Sequence, residues 1–442
     1  MEIPPLLWVI TKLDIRVDGG YEMKRGWLVT FSGMGLNLAL GVLYSWSVFG
    51  KQFTDAVDKG GFGWSKTNAA LPYTVAIAFF AAMMVPAGRL QDRFGPRIVA
   101  TIGALLTGLG LVVTSFASPG NILPALIGFG VMAGTGIGLG YATATPAAVK
   151  WFPPGKKGLI TGIVVSGFGL ASVYIAPVSK SFLGAYGVKG AFMILGIGFA
   201  VITFILTQFI NNPPTPAVSL NQKVSNNNNS YKVDYSWSEM VRTRTFYLLW
   251  IEFACGALAG LMIIGHLAKI VAVQSNNAIQ TGFLFVALLA IFNAGGRLVA
   301  GALSDYIGRM KTILIVCISQ AIVMFLFPHF STITAFIIGS AVVGISYGAC
   351  LSLFPATTAD HWGTKNLGLN YGILFTAWGV GGVLGPILAG KIADASGNYN
   401  SAYIVSASLM IFAGILTFFT KAPERELIEE PLQAQVLKAE AI

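Results

Sequence analysis

The sequence predicts an all-α membrane protein of twelve transmembrane helices, arranged as two six-helix halves related by a pseudo-two-fold axis. Three observations predict it. Hydrophobic residues make up 55% of the 442 and charged residues 10%, too little polar surface to coat a water-soluble globule of this size. Apolar runs of about 20 residues, the helical length that crosses a bilayer core of roughly 30 Å, recur along nearly the whole chain. A loop motif and a proline spacing each occur twice, once on either side of a single long polar linker.

Residues 1–26 form an N-terminal segment, expected on the cytoplasmic side, in which Met23 is a second candidate start. The first helix, 27–50, follows this stretch without a small-residue cleavage site, so it reads as a retained anchor rather than a removed signal peptide. Five more apolar runs, 69–90, 97–116, 122–145, 158–180 and 189–210, complete a first half over 27–210. Their Gly and Pro content would break soluble helices. It is ordinary in a membrane bundle, where small residues permit close approach and neighbours re-satisfy backbone groups.

Residues 211–244 are rich in Pro, Asn and Ser and too hydrophilic to enter lipid, so they form an inner-side linker. The second half, 245–420, holds the runs 245–271, 280–304, 310–329, 332–356, 367–391 and 399–420, and residues 421–442 are a short charged tail.

The net charge of +10 fits topology better than nucleic-acid binding, because its distribution follows the loops. Twenty of the 28 Lys and Arg residues fall at the two ends and in the even connections, and seven fall in the odd ones. The positive-inside rule therefore puts both termini in the cytoplasm of a multi-pass cell-membrane protein. Cys255, Cys317 and Cys350 are odd in number and lie in apolar runs, where they read as small core residues and not as a disulfide framework or metal cluster.

The repeat is specific. GRLQDRFGPR at 88–97 follows the second helix and GALSDYIGRMK at 301–311 follows the eighth, a Gly-x-x-x-Asp-x-x-Gly pattern with bases, 213 residues apart. Pro146 and Pro177 are 31 residues apart in the fourth and fifth helices, as are Pro355 and Pro386 in the tenth and eleventh. Parallel halves of this kind are a transporter architecture with substrate held near the midplane between them. Gly88 and Gly301 can let helices cross closely. Asp92 and Asp305, with Arg93 and Arg309, can pair with inner-side bases or a helix N-terminus in one conformational state, forming a gate. The plainer reading is that the motif sets topology and a tight turn.

Both motifs resemble the signature of the major facilitator superfamily in its two places, and the resemblance covers residues 24–420. It implies the major facilitator fold and alternating access.

Ionisable groups within the membrane cost roughly 2.5–3.5 kcal/mol each on insertion scales. Arg297 lies two turns before Asp305, about 12 Å along the helix. Asn293 is one turn earlier on the same face, beside Gly295 and Gly296. A guanidinium matches a carboxylate and Asn can add a hydrogen bond, so the pair reads as a receptor for a small carboxylate. The competing reading makes Arg297 structural, satisfied by backbone carbonyls or by Glu252. Tyr44, Tyr141, Tyr347, Tyr371, Phe375 and Trp378 are aromatic groups on apolar helices, each open to a packing role as well. Tyr141 and Tyr347 stand out because they occupy corresponding repeat helices beside glycines.

Segments such as NLALGVLYSWSVFG (37–50), KWFPPGKKGLITG (150–162), NAGGRLVAGALSD (293–305) and NYGILFTAWGVGG (370–382) resemble the oxalate/formate antiporter family and its monocarboxylate (lactate) transporter relatives. That resemblance implies that Arg297 binds the carboxylate. Two departures matter. Residues 370–390 contain no second base of the kind suited to a dianion, and Asn293 stands where proton-coupled animal relatives carry Asp, with no Lys in 27–50. His266 and Glu252 are then the proton-coupling candidates, with Asp360 and His361 behind them; neutral acid could also enter with its own proton.

The expected function is secondary transport of a lactate-like monocarboxylate, in symport with a proton, by a monomer in the lipid bilayer. The substrate-binding candidates are Arg297, Asn293, Tyr141, Tyr347, Phe375 and Trp378. The rival is oxalate/formate-type antiport. A membrane enzyme is a remote third reading, since the chain lacks a Walker loop, HExxH, GxSxG with its triad, or paired catalytic carboxylates. No cofactor, metal, ATP site or nucleic-acid partner is expected.

Overall fold

The computed structural model describes residues 5–59, 61–214, 234–276, 278–279, 281–396 and 398–423, so most of the expected linker and tail lie outside the described residues. Among the described residues, ten helices are long and apolar enough to cross a membrane, and a shorter apolar helix, Asn400–Leu416, follows them. One of the ten, Lys157–Thr207, runs for 51 residues but breaks at Gly187, where φ is 66° and ψ −175°. A left-handed φ there favours glycine and splits the element into two crossings. That makes twelve.

In order they are α1 (Pro5–Leu40, continued through the tight turn Gly41–Ser45 into Trp46–Thr54), α2 (Lys66–Phe94) and α3 (Pro96–Thr114). Next come α4 (Leu123–Val149), α5 (157–186), α6 (188–207) and α7 (Arg244–Ile264). The chain ends with α8 (Gly282–Ile307), α9 (Arg309–Leu326), α10 (Ile333–Trp362), α11 (Leu367–Ser396) and α12 (Asn400–Leu416). Local chemistry sets several starts: the hydroxyls of Ser65, Thr243 and Thr332 accept N–H bonds from Asn68, Phe246 and Ala335 at the N-caps of α2, α7 and α10. Within α4, residues Leu126–Ala133 widen into a π-helical stretch. The lipid-facing surface is apolar, as on α3, where Ile98, Ile102, Leu105 and Leu109 stand exposed at helical spacing.

Two expectations need correction. The connection placed after residue 180 is helical, because α5 continues to the glycine break at 187. The seventh helix ends at Ile264 rather than 271; Gly265 is its C-cap, His266 (φ −123°, ψ 1°) leaves helical geometry, and a separate short helix, Leu267–Gln274, follows.

The repeat is visible in the backbone. Gly95 (φ 85°, ψ 156°) and Gly308 (φ 95°, ψ 154°) take matching left-handed conformations, and each caps the next helix. Across the halves, α5 packs on α8 and α2 on α11, two seams related by the same symmetry. Both are closest where glycines meet. A Cβ on Gly88 would strike the Gly368 carbonyl, and Gly158 and Gly301 would strike each other's carbonyl oxygens. Gly301→Ala should therefore disfavour this conformation by about 1–3 kcal/mol. The check is faster thiol labelling of a cysteine placed on the buried face of α5 near its start.

Candidate functional site

Arg297 is completely buried on α8 where it faces α5 of the other half. Its Nε donates to Asn293 Oδ1 at 3.0 Å, one turn back on the same helix. Nη1 donates to the backbone carbonyl of Val165 on α5 at 2.5 Å, a bond between the halves. Nη2 has no hydrogen-bond partner among the described residues. The Tyr44 hydroxyl from α1 lies within hydrogen-bonding reach of the guanidinium. Glu252 is not its partner, since that carboxyl bonds Thr420 instead.

This placement depends on small residues. A Cβ on Gly169 would lie 3.2 Å from Arg297 Nε, so a bare helix face there lets the side chain pass. Gly162 lies against the Arg297 backbone. Of the two glycines beside Arg297, Gly295 faces open space, whereas Gly296 is used in packing, its Cβ position falling 2.6 Å from the Ile345 Cα of α10.

Around the arginine stands an aromatic cage from both halves. Tyr141 on α4 packs 5.4 Å from Phe168 and 5.7 Å from Phe375, and Phe80 lies 5.7 Å from Trp378. Phe375 stacks on Trp378 at 4.9 Å. Trp378 Nε1 donates to the Tyr347 hydroxyl at 2.8 Å, which ties α11 to α10. Tyr347→Phe would leave that half-buried indole N–H without its acceptor, a cost of about 1 kcal/mol. A lowered Tm of the purified protein should report it. Arg297, Asn293, Tyr141, Tyr347, Phe375 and Trp378 thus come into one neighbourhood. Phe80 and Phe168, which sequence reasoning passed over, join them; neither carries a polar atom to single it out in an apolar run.

The coupling candidates lie elsewhere. His266 caps the short helix after α7, with Nε2 3.1 Å from the Pro386 carbonyl and Nδ1 3.3 Å from the Tyr399 hydroxyl. Both ring nitrogens are engaged. Glu252 is buried between α7 and the end of α12.

At the motif-bearing end of the bundle the two seams close. Asp305 accepts the Gly158 and Leu159 N–H bonds at the start of α5, at 2.9 and 2.8 Å, while Arg309 Nη2 lies 2.8 Å away. Arg309 Nε reaches Asp360 at 2.8 Å, and Lys157 joins that carboxylate from the other half at 3.2 Å. In the second seam, Asp92 accepts the Leu369 N–H at the start of α11 at 2.9 Å. Its cation is more distant, Lys150 at 4.0 Å. Burial pushes the Lys150 ammonium below the usual lysine range, with Asp92 pulling the other way. Arg93 does not join this seam: it is exposed and lies 5.2 Å over the Phe94 ring, because the residue after Asp92 points about 100° away around the helix. Asp360 and His361 fall in the last turn of α10, so Asp360 belongs to this seal and not to the aromatic site.

Known proteins resemble the chain as a whole. Residues 26–335 and 321–440 match the model of the Major Facilitator Superfamily. The oxalate:formate antiporter of Oxalobacter formigenes is 30% identical over 383 residues, covering 86% of this chain and 87% of that protein. Monocarboxylate transporter 13 of Bos taurus is 23% identical over 441 residues, covering 95% and 96%. Among solved structures, the fucose:proton symporter FucP of Escherichia coli superposes with a TM-score of 0.66 at 14% identity, covering 88% of this chain and 98% of that one.

Proposed function

The chain belongs to the major facilitator superfamily, and on that premise we propose that it is a secondary transporter of small monocarboxylates of the lactate type, working by proton-coupled symport. One observation carries the reading. A fully buried guanidinium with an unpartnered nitrogen stands between the two halves, inside an aromatic cage, and no carboxylate among the described residues is bonded to it. A buried cation without a resident counter-ion is costly, and a visiting carboxylate is the group that offsets it.

Geometry bears on the binding mode. Nε has a single hydrogen and gives it to Asn293, so the fork open to a carboxylate is Nη1 with Nη2. The aromatic rings then face a short apolar tail. The monocarboxylate transporters among the relatives support this substrate class.

In this reading residues 27–210 rock against 245–420 about Arg297, and the seams at Asp92 and Asp305 seal the cytoplasmic side. Both termini are cytoplasmic, the cell membrane is the site of action, and a monomer suffices because one chain supplies both halves.

The oxalate:formate antiporter relative favours a second reading, anion exchange. The buried charged residues described besides Arg297 are Lys157, Glu252 and Arg309, and both cations among these belong to the motif-end seal. A dianion would thus meet one positive charge. Counterflow with external lactate or oxalate against labelled lactate inside proteoliposomes tests the choice. Exchange of lactate together with net uptake into empty vesicles is expected. Strict exchange without net uptake, or preference for oxalate, would replace symport by antiport.

A further inference from the structure

Glu252, a proton-coupling candidate in the sequence, is a buried acid outside the aromatic cage. Glu252 on α7 is 2% exposed, and its Oε1 lies 2.5 Å from the hydroxyl oxygen of Thr420, just past α12. Thr420 Oγ1 also lies 3.0 Å from the Leu416 carbonyl, one turn back. A hydroxyl has one hydrogen. Shared between both oxygens it would make two weak three-centre bonds, and the Leu416 carbonyl can only accept. Both contacts are full hydrogen bonds if the carboxyl supplies the second hydrogen: Glu252 Oε1–H to Thr420 Oγ1, and Thr420 Oγ1–H to Leu416 O.

The other carboxyl oxygen points the same way. Oε2 is buried and has no hydrogen-bond partner among the described residues, and no ion pair to Glu252 occurs among them. A bare oxygen of an ionised carboxylate in such a place carries a large desolvation cost, whereas the carbonyl oxygen of a neutral acid carries a modest one. From these bonds we infer that Glu252 is a proton-binding site, loaded in this conformation and separate from the substrate arginine.

The surroundings fit a site for a proton rather than for a metal ion or an anion. The groups facing it are Cys255 on its own helix, Cys317 from α9 beside Cys350 of α10, and Thr420 from the α12 end. On the opposite side of α7, α11 brings Thr376, which accepts from Trp250 Nε1 at 2.9 Å and does not titrate. Among the described residues no set of His, Cys, Asp and Glu is placed to hold a metal. Position supplies the link to transport. Glu252 is about 12 Å along α7 from its start at Arg244. Thr245 in that first turn is bonded to the Lys421 carbonyl at 2.7 Å, a staple between the same two helices. The next residue, Phe253, stacks on Phe354 at 4.3 Å and meets the cage residue Phe375 at 6.1 Å. Opening the α7–α12 seam would expose the acid to the motif-bearing side. A shift of α7 would reach the cage through Phe253.

The transport arm of the test rests on the proton-coupled reading above; the spectroscopic arm does not. Infrared difference spectra of the intact protein in lipid, compared with Glu252→Gln, should show a protonated-carboxyl band at neutral pH that the variant lacks. Thr420→Val keeps the acid but removes its hydrogen-bond acceptor, and should shift the same band. In proteoliposomes, an inward proton gradient should stimulate lactate uptake by the intact protein and lose that effect in Glu252→Gln. A missing band at neutral pH, or a variant still driven by the gradient, overturns the inference. If the intact protein carries no lactate, the substrate reading falls and the band alone decides whether Glu252 holds a proton. Should Glu252→Gln fail to fold, an unshifted band in Thr420→Val overturns it.

Discussion

Replacing Arg297 with alanine is expected to abolish carboxylate binding, a loss of roughly 3–5 kcal/mol, the range for removing one member of a buried charge pair. That is a factor of at least ~100 in Kd, readable by calorimetric titration of the purified protein with lactate. Arg297→Lys should not rescue it. Lysine keeps the charge, but it cannot hold Asn293 Oδ1 and the Val165 carbonyl from two sides of one plane while offering a fork to the ligand. If lysine bound lactate as tightly as arginine, charge alone would be the determinant and the Nη1/Nη2 geometry irrelevant. Val165 adds a second consequence. Its carbonyl belongs to the opposite half, so the guanidinium that receives the carboxylate also bridges the two halves.

The second large effect is expected at Asp305. Its two oxygens take two backbone N–H groups at the start of α5, and Arg309 takes a third position. Asparagine could accept at one oxygen only and would turn an amide toward the remaining N–H. Charge-assisted bonds contribute about 1.5–3 kcal/mol each, so Asp305→Asn should lower the population of the sealed state by about 3 kcal/mol or more. Spin labels at the motif ends of α5 and α8 should then report a longer mean distance. Asp92→Asn should move the corresponding labels on α2 and α11 less, because its cation is 4.0 Å away where that of Asp305 is at 2.8 Å. Equal responses would mean that the sequence symmetry, and not the extra Lys157–Asp360–Arg309 bridge, sets gate strength.

Much of this was legible in the sequence, and the reasons are physical. A membrane interior makes any charge conspicuous, so Arg297 in an apolar run announced itself. The repeat of Gly, Asp and Gly over 213 residues marked both seams, because only glycine takes the turn at 95 and 308 and permits the crossings at 88 and 301. The fold followed from the length and spacing of apolar runs.

What the sequence hid has a common cause. Backbone groups have no letter of their own, so the Val165 carbonyl and the N–H groups of Gly158, Leu159 and Leu369 could not be read as partners. Phe80 and Phe168 look like any lipid-facing aromatic until the helices are packed. Asp360 and Lys157 are 203 residues apart and meet only once the halves close. Glu252 was visible as an isolated acid, but its pairing with Thr420 needed α7 and α12 side by side. The helical continuation to residue 186 was missed because Gly184 and Gly187 look alike in sequence, while only Gly187 adopts a positive φ.

The most direct test of the account is uptake of labelled L-lactate into proteoliposomes, with and without an inward proton gradient, by the intact protein and by Arg297→Ala. Uptake that the gradient stimulates and the substitution abolishes is the predicted result. Uptake that persists without Arg297 would contradict the central claim that its buried guanidinium is the carboxylate receptor.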